Sequence, residues 1–138
     1  MTDLEIDQLT QRIISCGIEV HRALGAGLLE SVYRECLLIE LQAARLQEIS
    51  EQSVKLTYKG TSIRTQLRLD LIVEDCVVVE LKAVEGIHPV HLSQVITYLK
   101  LTGHPAGLIM NFNVSSLRNG VRRLNHPERY VRAGRPIL

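Results

Sequence analysis

The strongest constraint on the fold is the segment 76–83, in which three consecutive valines lead directly into Glu80, Leu81 and Lys82. Consecutive β-branched residues favour a strand, and a strand without polar–apolar alternation is typical of one that is covered on both faces. Such a central strand requires helices on both sides of its sheet. We therefore expect a mixed sheet flanked by helices, in the α/β (α+β) class.

The chain on the N-terminal side of this strand contains the patterns of two helices and two strands. Apolar residues recur every three or four positions over residues 4–23, and a second helix is expected from about residue 29 to 46, after a glycine-rich break at 25–27. Alternating patterns predict strands over 52–58 and 62–73.

The chain beyond the central strand adds a further helix and strand. Residues 90–102 form a predicted helix that is opened by Pro89 and stopped by Gly103, and 106–112 read as a buried strand. The element order is α-α-β-β-β-α-β, and the strands on either side of this helix are expected to be parallel. Segment 117–125 fits either a last strand or a short helix. All residues, 1–138, are expected to form one domain.

Composition excludes several classes of protein. The chain is 46% hydrophobic and 22% charged, which is typical of a globular protein rather than a disordered one. Its apolar runs are too short for a membrane span, and its acidic, polar N-terminus does not resemble a signal peptide. Three cysteines without a CxxC pair, Cys16, Cys36 and Cys76, predict reduced thiols. We expect a cytoplasmic protein that does not bind membranes.

Two acids and a lysine in the predicted sheet are the candidate chemistry. Glu80 and Lys82 share one face of the central strand, and Asp70 lies on the strand before it. Burying these groups is costly unless they pair or hold a metal, and metal-dependent phosphodiester cleavage uses carboxylates for a hard cation with an ammonium beside the attacking water. The alternative is an exposed Asp70 and an exposed Glu80–Lys82 ion pair.

Asp70 and Glu80 can share a metal only if the register of their two strands places them opposite each other. A two-residue turn at Glu74 and Asp75 would place Asp70 opposite Val79, with Glu80 on the other face. A three-residue loop over 74–76, or a bulge near Asp70, would place Asp70 opposite Glu80. We predict one of these two devices.

An acid on one strand and acid-any-lysine on the next resemble the PD-(D/E)XK nuclease superfamily, although Leu69 stands where its proline is often found. The stretch from Gly27 through Glu30 to Tyr33 reads G-x-x-E-x-x-Y, which resembles the signature of the bacterial GxxExxY family. Further segments over roughly residues 10–125 resemble blocks of that family in the same order. The resemblance implies a restriction-endonuclease-like fold.

The resemblance also implies roles for individual residues. Asp70 and Glu80 would be the main ligands of Mg2+ or Mn2+, with the Leu81 carbonyl as a third and Glu30 joining or supporting the metal site. Lys82 would orient or deprotonate the attacking water.

Two residues of the predicted third helix complete the set of site residues that the resemblance implies. Gln94 and Tyr98 resemble a Q-x-x-x-Y element that touches substrate in exonuclease-like relatives. By contrast, Gly27 and Tyr33 are expected to be structural.

The first functional hypothesis is that the chain is a metal-dependent nuclease that hydrolyses phosphodiester bonds of nucleic acid, with DNA as the expected substrate. The alternative is a non-catalytic nucleic-acid-binding or protein-interaction module with the nuclease fold, and a small-molecule hydrolase is a third class. Sequence-specific cutting by so small a domain would require a homodimer or a protein partner. Residues 106–138 carry six arginines against one acid, Glu128, and this end of the chain fits either a phosphate contact or a solvated tail.

Overall fold

A computed structural model describes residues 1–128, and in this part of the chain three α-helices flank a five-stranded mixed sheet. The expected element order is confirmed, with one more strand at the end. The elements are α1 (Asp3–Leu24), α2 (Glu30–Ala43), β1 (Glu48–Tyr58), β2 (Thr61–Val73), β3 (Val77–Lys82), α3 (Pro89–Thr102), β4 (Ala106–Asn111), a 3-10 turn (Leu117–Gly120) and β5 (Val121–Asn125).

The strands lie in the order β1-β2-β3-β4-β5, so neighbours in the chain are also neighbours in the sheet. Strands β3 and β4 are parallel and are joined through α3, which confirms the predicted crossover. The other pairings are antiparallel. Segment 117–125 contains both structures that the sequence left open, first the 3-10 turn and then β5.

The valine-rich strand β3 is covered on both faces, as expected. Val77 and Val79 pack into a core formed with α1 and α2, whereas Val78 packs into a second core beneath α3. All three valines are fully buried. Alternation along this one strand therefore holds the two helical layers on opposite sides of the sheet.

Helix α2 ends earlier than its sequence pattern predicts. The helix stops at Ala43, and Arg45 adopts a left-handed conformation with φ of 59°. The N–H of Leu46 then donates to the Leu41 carbonyl and that of Arg45 to the Gln42 carbonyl, which is a Schellman end. The side chain of Leu46 is buried, so it continues the apolar pattern after the helix itself has ended.

Tyr33 ties the start of α2 to the loop before it. Its hydroxyl donates to the Gly25 carbonyl at 2.6 Å and accepts from the Leu28 N–H at 3.2 Å. Its buried ring stacks on Phe112 with centroids 4.5 Å apart. Gly27, with φ of 101°, supplies a backbone conformation that other residues rarely adopt. Both residues have the structural role expected of them, and together they set where α2 begins.

We predict that Tyr33→Phe lowers the free energy of unfolding by about 1 to 2 kcal/mol, because it removes both hydrogen bonds and keeps the stacked ring. Urea denaturation followed by circular dichroism measures this change. Tyr58→Phe is the control, since the Tyr58 side chain is exposed and the change should leave stability unaltered. Equal stability of the two variants would contradict the role given to the Tyr33 hydroxyl.

Candidate active site

The turn between β2 and β3 sets the register of the two acids. Strand pairing joins Leu71 to Val79 and Val73 to Val77, so residues 74–76 form a three-residue loop. Glu74 and Asp75 have positive φ values of 53° and 47°, which lets the chain reverse within that length. Continuing the register by one position sets Asp70 opposite Glu80, so the first of the two predicted devices is confirmed.

The regular pairing of β2 with β3 ends at Leu71 and Val79, and the next hydrogen bond between the two strands is made by the Asp70 side chain. Asp70 Oδ2 accepts a hydrogen bond from the Leu81 N–H at 2.9 Å. The N–H and C=O of one strand residue point to the same side, so the Leu81 carbonyl also faces the β2 side. The Lys82 carbonyl faces the other way and accepts from the Phe112 N–H. Asp70 and the Leu81 carbonyl are therefore on the same side of β3.

Glu80 is a buried acid with an unsatisfied oxygen. Its residue is only 6% exposed, and its Oε2 atom has no hydrogen-bond partner within the described residues. The pKa of Glu80 is raised to about 9, first by burial and then by a hydrogen bond with Asp70 and the charge of Asp70, while the charge of Lys82 opposes the shift. Without a metal, Glu80 is therefore protonated at neutral pH.

Arg34 occupies the other side of Asp70. Its guanidinium lies 3.5 Å from Asp70 Oδ1 and 3.6 Å from Glu51 on β1. The sequence analysis did not identify Arg34. The available signal was its position four residues after Glu30, which places both side chains on the same face of α2.

The remaining candidate residues surround the acid pair. The charge of Glu30, at the first position of α2, raises the pKa of Glu80, and the charge of Lys82 lowers it. Burial raises the pKa of Tyr98, as does the charge of Glu80, whereas a hydrogen bond with Gln94 lowers it. Glu30, Lys82 and Tyr98 therefore lie within electrostatic range of Glu80, and Gln94 lies within hydrogen-bonding reach of Tyr98.

His91 on α3 adds an imidazole to these surroundings. Burial lowers its pKa first, followed by the charges of Lys82 and His88, whereas Glu30 raises it. Its Nδ1 also accepts a hydrogen bond from the His88 N–H at 3.1 Å. His91 therefore lies near Lys82 while helping to start α3.

The donor set fits a hard divalent cation that keeps part of its water shell. Within residues 1–128, no three carboxylate, imidazole or thiol side chains lie close enough together to form a metal site by themselves. The fit depends on two carboxylates, a free buried oxygen on one of them, and the carbonyl beside them. Magnesium in proteins is commonly held by one or two carboxylates with waters completing its octahedron.

The basic C-terminal end is only partly within the described residues. Arg123 binds Asp7 at 2.6 Å, and Arg122 donates to backbone carbonyls of Asn119 and Val121. Arg118 is exposed, and the remaining three arginines of this end, Arg129, Arg132 and Arg135, lie outside the described residues. Of the helices within residues 1–128, none is both long and apolar enough to cross a membrane.

Comparison with known proteins gives one match. The family model for the PD-(D/E)XK nuclease superfamily matches residues 7–124, which include every element of the fold from the first turns of α1 to β5. No curated protein and no solved structure matches the chain significantly.

We predict that Glu80→Gln stabilises the metal-free protein increasingly as pH rises. The pKa of Glu80 is about 9 in the folded chain and near 4.5 in the unfolded chain, so the folded state holds an extra proton between these values. Stability of the natural protein therefore falls as pH rises through this window, and the variant lacks that loss. The difference should grow by at most about 1.4 kcal/mol per pH unit.

Urea denaturation in a chelator, at pH values between about 5 and 9, measures this difference. Glu85→Gln is the matched control, because Glu85 is exposed and lies in the loop that follows β3. Parallel pH profiles for the natural protein and Glu80→Gln would show that Glu80 is ionised in the folded state.

Proposed function

This chain belongs to the PD-(D/E)XK nuclease superfamily, and we propose that it hydrolyses phosphodiester bonds of nucleic acid, with DNA as substrate and Mg2+ or Mn2+ as cofactor. The observation that carries the proposal is the placement of Asp70 opposite Glu80, whose buried Oε2 has no hydrogen-bond partner among residues 1–128 and lies near Lys82. A buried carboxyl oxygen without a hydrogen bond is costly, and a cation would offset that cost.

The two carboxylates and the Leu81 carbonyl would hold the cation. When bound, a divalent cation polarises a phosphoryl oxygen and lowers the pKa of a bound water. Glu80 has to release its proton in order to serve as a ligand. Asp70 is already positioned by the Leu81 N–H and by Arg34, so its orientation does not depend on the cation.

Lys82 would act on the attacking water or on the phosphate. Lys82 is two residues after Glu80 on the same face of β3, and its charge lowers the pKa of Glu80, so it would be placed to orient or deprotonate the water and to offset phosphate charge. Glu30 lies within electrostatic range of Glu80 and would support the site from α2.

We further propose that the chain is a GxxExxY-type member of the superfamily. The three motif residues act together: Gly27 turns the chain, Tyr33 holds the loop through its hydroxyl, and Glu30 then begins α2 within electrostatic range of Glu80. Each residue of the motif therefore has its own physical role at its position in the loop or in α2.

Substrate contact is proposed for α3. Gln94 is exposed and hydrogen-bonds with the buried Tyr98, so it presents an amide at the surface next to the site. Cutting at a defined sequence would additionally need a second copy or another protein, because so small a domain has little room for reading base edges.

We predict Mn2+-dependent cleavage of labelled DNA that falls by about 100-fold or more in Glu80→Gln and in Lys82→Ala, since the first change removes an anionic ligand of the cation and the second removes the charge that acts on the attacking water or the phosphate. Gel electrophoresis of the products measures cleavage. Glu85→Gln and Lys100→Ala are matched controls at exposed positions and should cleave normally.

Cleavage that survives both site variants would come from another site or a contaminating enzyme. Nucleic-acid binding without cleavage, at saturating Mn2+ and with every polymer tried, would establish the non-catalytic alternative.

We predict that Gln94→Ala raises KM by about 2- to 10-fold and leaves kcat nearly unchanged, because one hydrogen bond to substrate is lost. Steady-state cleavage of a labelled oligonucleotide separates the two constants. Ser93→Ala, at the exposed position next to it, is the control. A fall in kcat with constant KM would instead assign Gln94 to the reacting groups.

A further inference from the structure

The outer part of the β1–β2 hairpin, residues 52–68, is a two-stranded ribbon that we call the arm. Strand β3 pairs with β2 only from Leu71 to Val73, so the arm has no third strand beside it. Tyr58 pairs with Thr61, and Lys59 and Gly60 between them both have positive φ, which closes the ribbon in a tight turn. Nearly all of its side chains are exposed.

The arm carries charge of one sign. It contains four basic residues and no acid, in a chain whose net charge is only +1. Within the described residues, none of the four basic side chains forms an ion pair or a side-chain hydrogen bond, and one of them lies over the ring of Tyr58. The four residues are Lys55, Lys59, Arg64 and Arg68.

Protection of an edge strand does not account for this pattern. Charged side chains on an edge prevent pairing with other chains whatever their sign, and mixed signs are usual on a surface. Four cations without one acid produce a positive field along the ribbon, and such a field attracts an anion.

Two of the cations project from the free face of the arm. Strand pairing sets Lys55 beside Gln66 and Arg68 beside Ser53, so these four polar residues share a face. The opposite face carries Val54 and Leu67, which pack against the core beneath α3. Arg68 is only two residues before Asp70, so the arm is continuous with the strand that carries the first of the two acids.

The dimensions of the arm fit a DNA duplex. Seven or eight residues per strand at about 3.3 Å each give a ribbon roughly 25 Å long. The major groove of B-form DNA is about 12 Å wide and admits a two-stranded ribbon, whereas that of an RNA duplex is too narrow for side chains to read. Binding of single strands depends on stacked aromatic side chains, and the arm has one, Tyr58.

We propose that the arm docks along double-stranded DNA and holds its phosphates with Lys55, Lys59, Arg64 and Arg68, so that the backbone passes the acid pair. This inference rests on the proposed function and names its substrate as a duplex. The arm is a binding element, and the reacting groups remain those on β2 and β3.

Binding of a labelled duplex of about 20 base pairs, followed by fluorescence anisotropy in a chelator, tests the inference without any cleavage. The test variant combines Lys55→Gln, Arg64→Gln and Arg68→Gln. We expect its Kd to rise at least about tenfold and its salt slope, log K against log salt, to flatten by about 2.7, which corresponds to three phosphate contacts.

The control variant changes three exposed basic residues elsewhere and has the same net charge. It combines Arg22→Gln, Arg45→Gln and Lys100→Gln, and its affinity and salt slope should stay close to those of the natural protein. Equal weakening by both triple variants would overturn the inference, because net charge rather than the arm would then hold DNA. Tighter binding of single-stranded DNA or duplex RNA than of duplex DNA would also overturn it.

Hydrolysis of bis(p-nitrophenyl) phosphate with Mn2+ separates this inference from the proposed function, since so small an ester cannot span the arm and the acids. We expect the arm variant to hydrolyse it like the natural protein. Unchanged ester hydrolysis with unchanged duplex binding in that variant would overturn only the role of the arm. Arm-dependent duplex binding with no hydrolysis of ester or DNA would support the arm and overturn the catalytic proposal.

Discussion

The burial of Glu80 at the end of the central strand is the constraint on which the site depends. A carboxyl group in that position is stable only if it is protonated, or if positive charge lies beside its ionised form. The chain meets this requirement with a proton shared towards Asp70, with Lys82 on the same face, and with a free oxygen that is available to a cation. The three-residue turn over 74–76 is what brings Asp70 into that arrangement.

Most of the fold could be predicted because local patterns and tertiary packing agree. The valine run of β3 requires two helical layers, and Pro89 and Gly103 mark the ends of α3 by their backbone restrictions. The end of α2 was placed three residues too far along, since Leu46 is buried after the helix has already turned away. Burial, not helical geometry, produced that apolar spacing.

The candidate site could likewise be predicted only in part from the sequence. Asp70 and Glu80 could be connected by counting residues around a turn, because register follows from loop length. Arg34 could not be found in this way, since it reaches Asp70 across the gap between a helix and a strand that are far apart in sequence. The charge of the arm was hidden for a different reason: residues 1–60 carry nine acids against six basic residues, so Lys55 and Lys59 do not stand out there, and Arg64 and Arg68 lie beyond that range.

The proton on Glu80 also sets which ions can compete for the site. With a pKa of about 9, ionising this acid at pH 7 costs roughly 3 kcal/mol, and an incoming ion has to supply that energy before it gains any affinity. At the same distance a doubly charged ion attracts the ionised carboxylate about twice as strongly as a singly charged one, so this proton would favour divalent over monovalent ions at the proposed site.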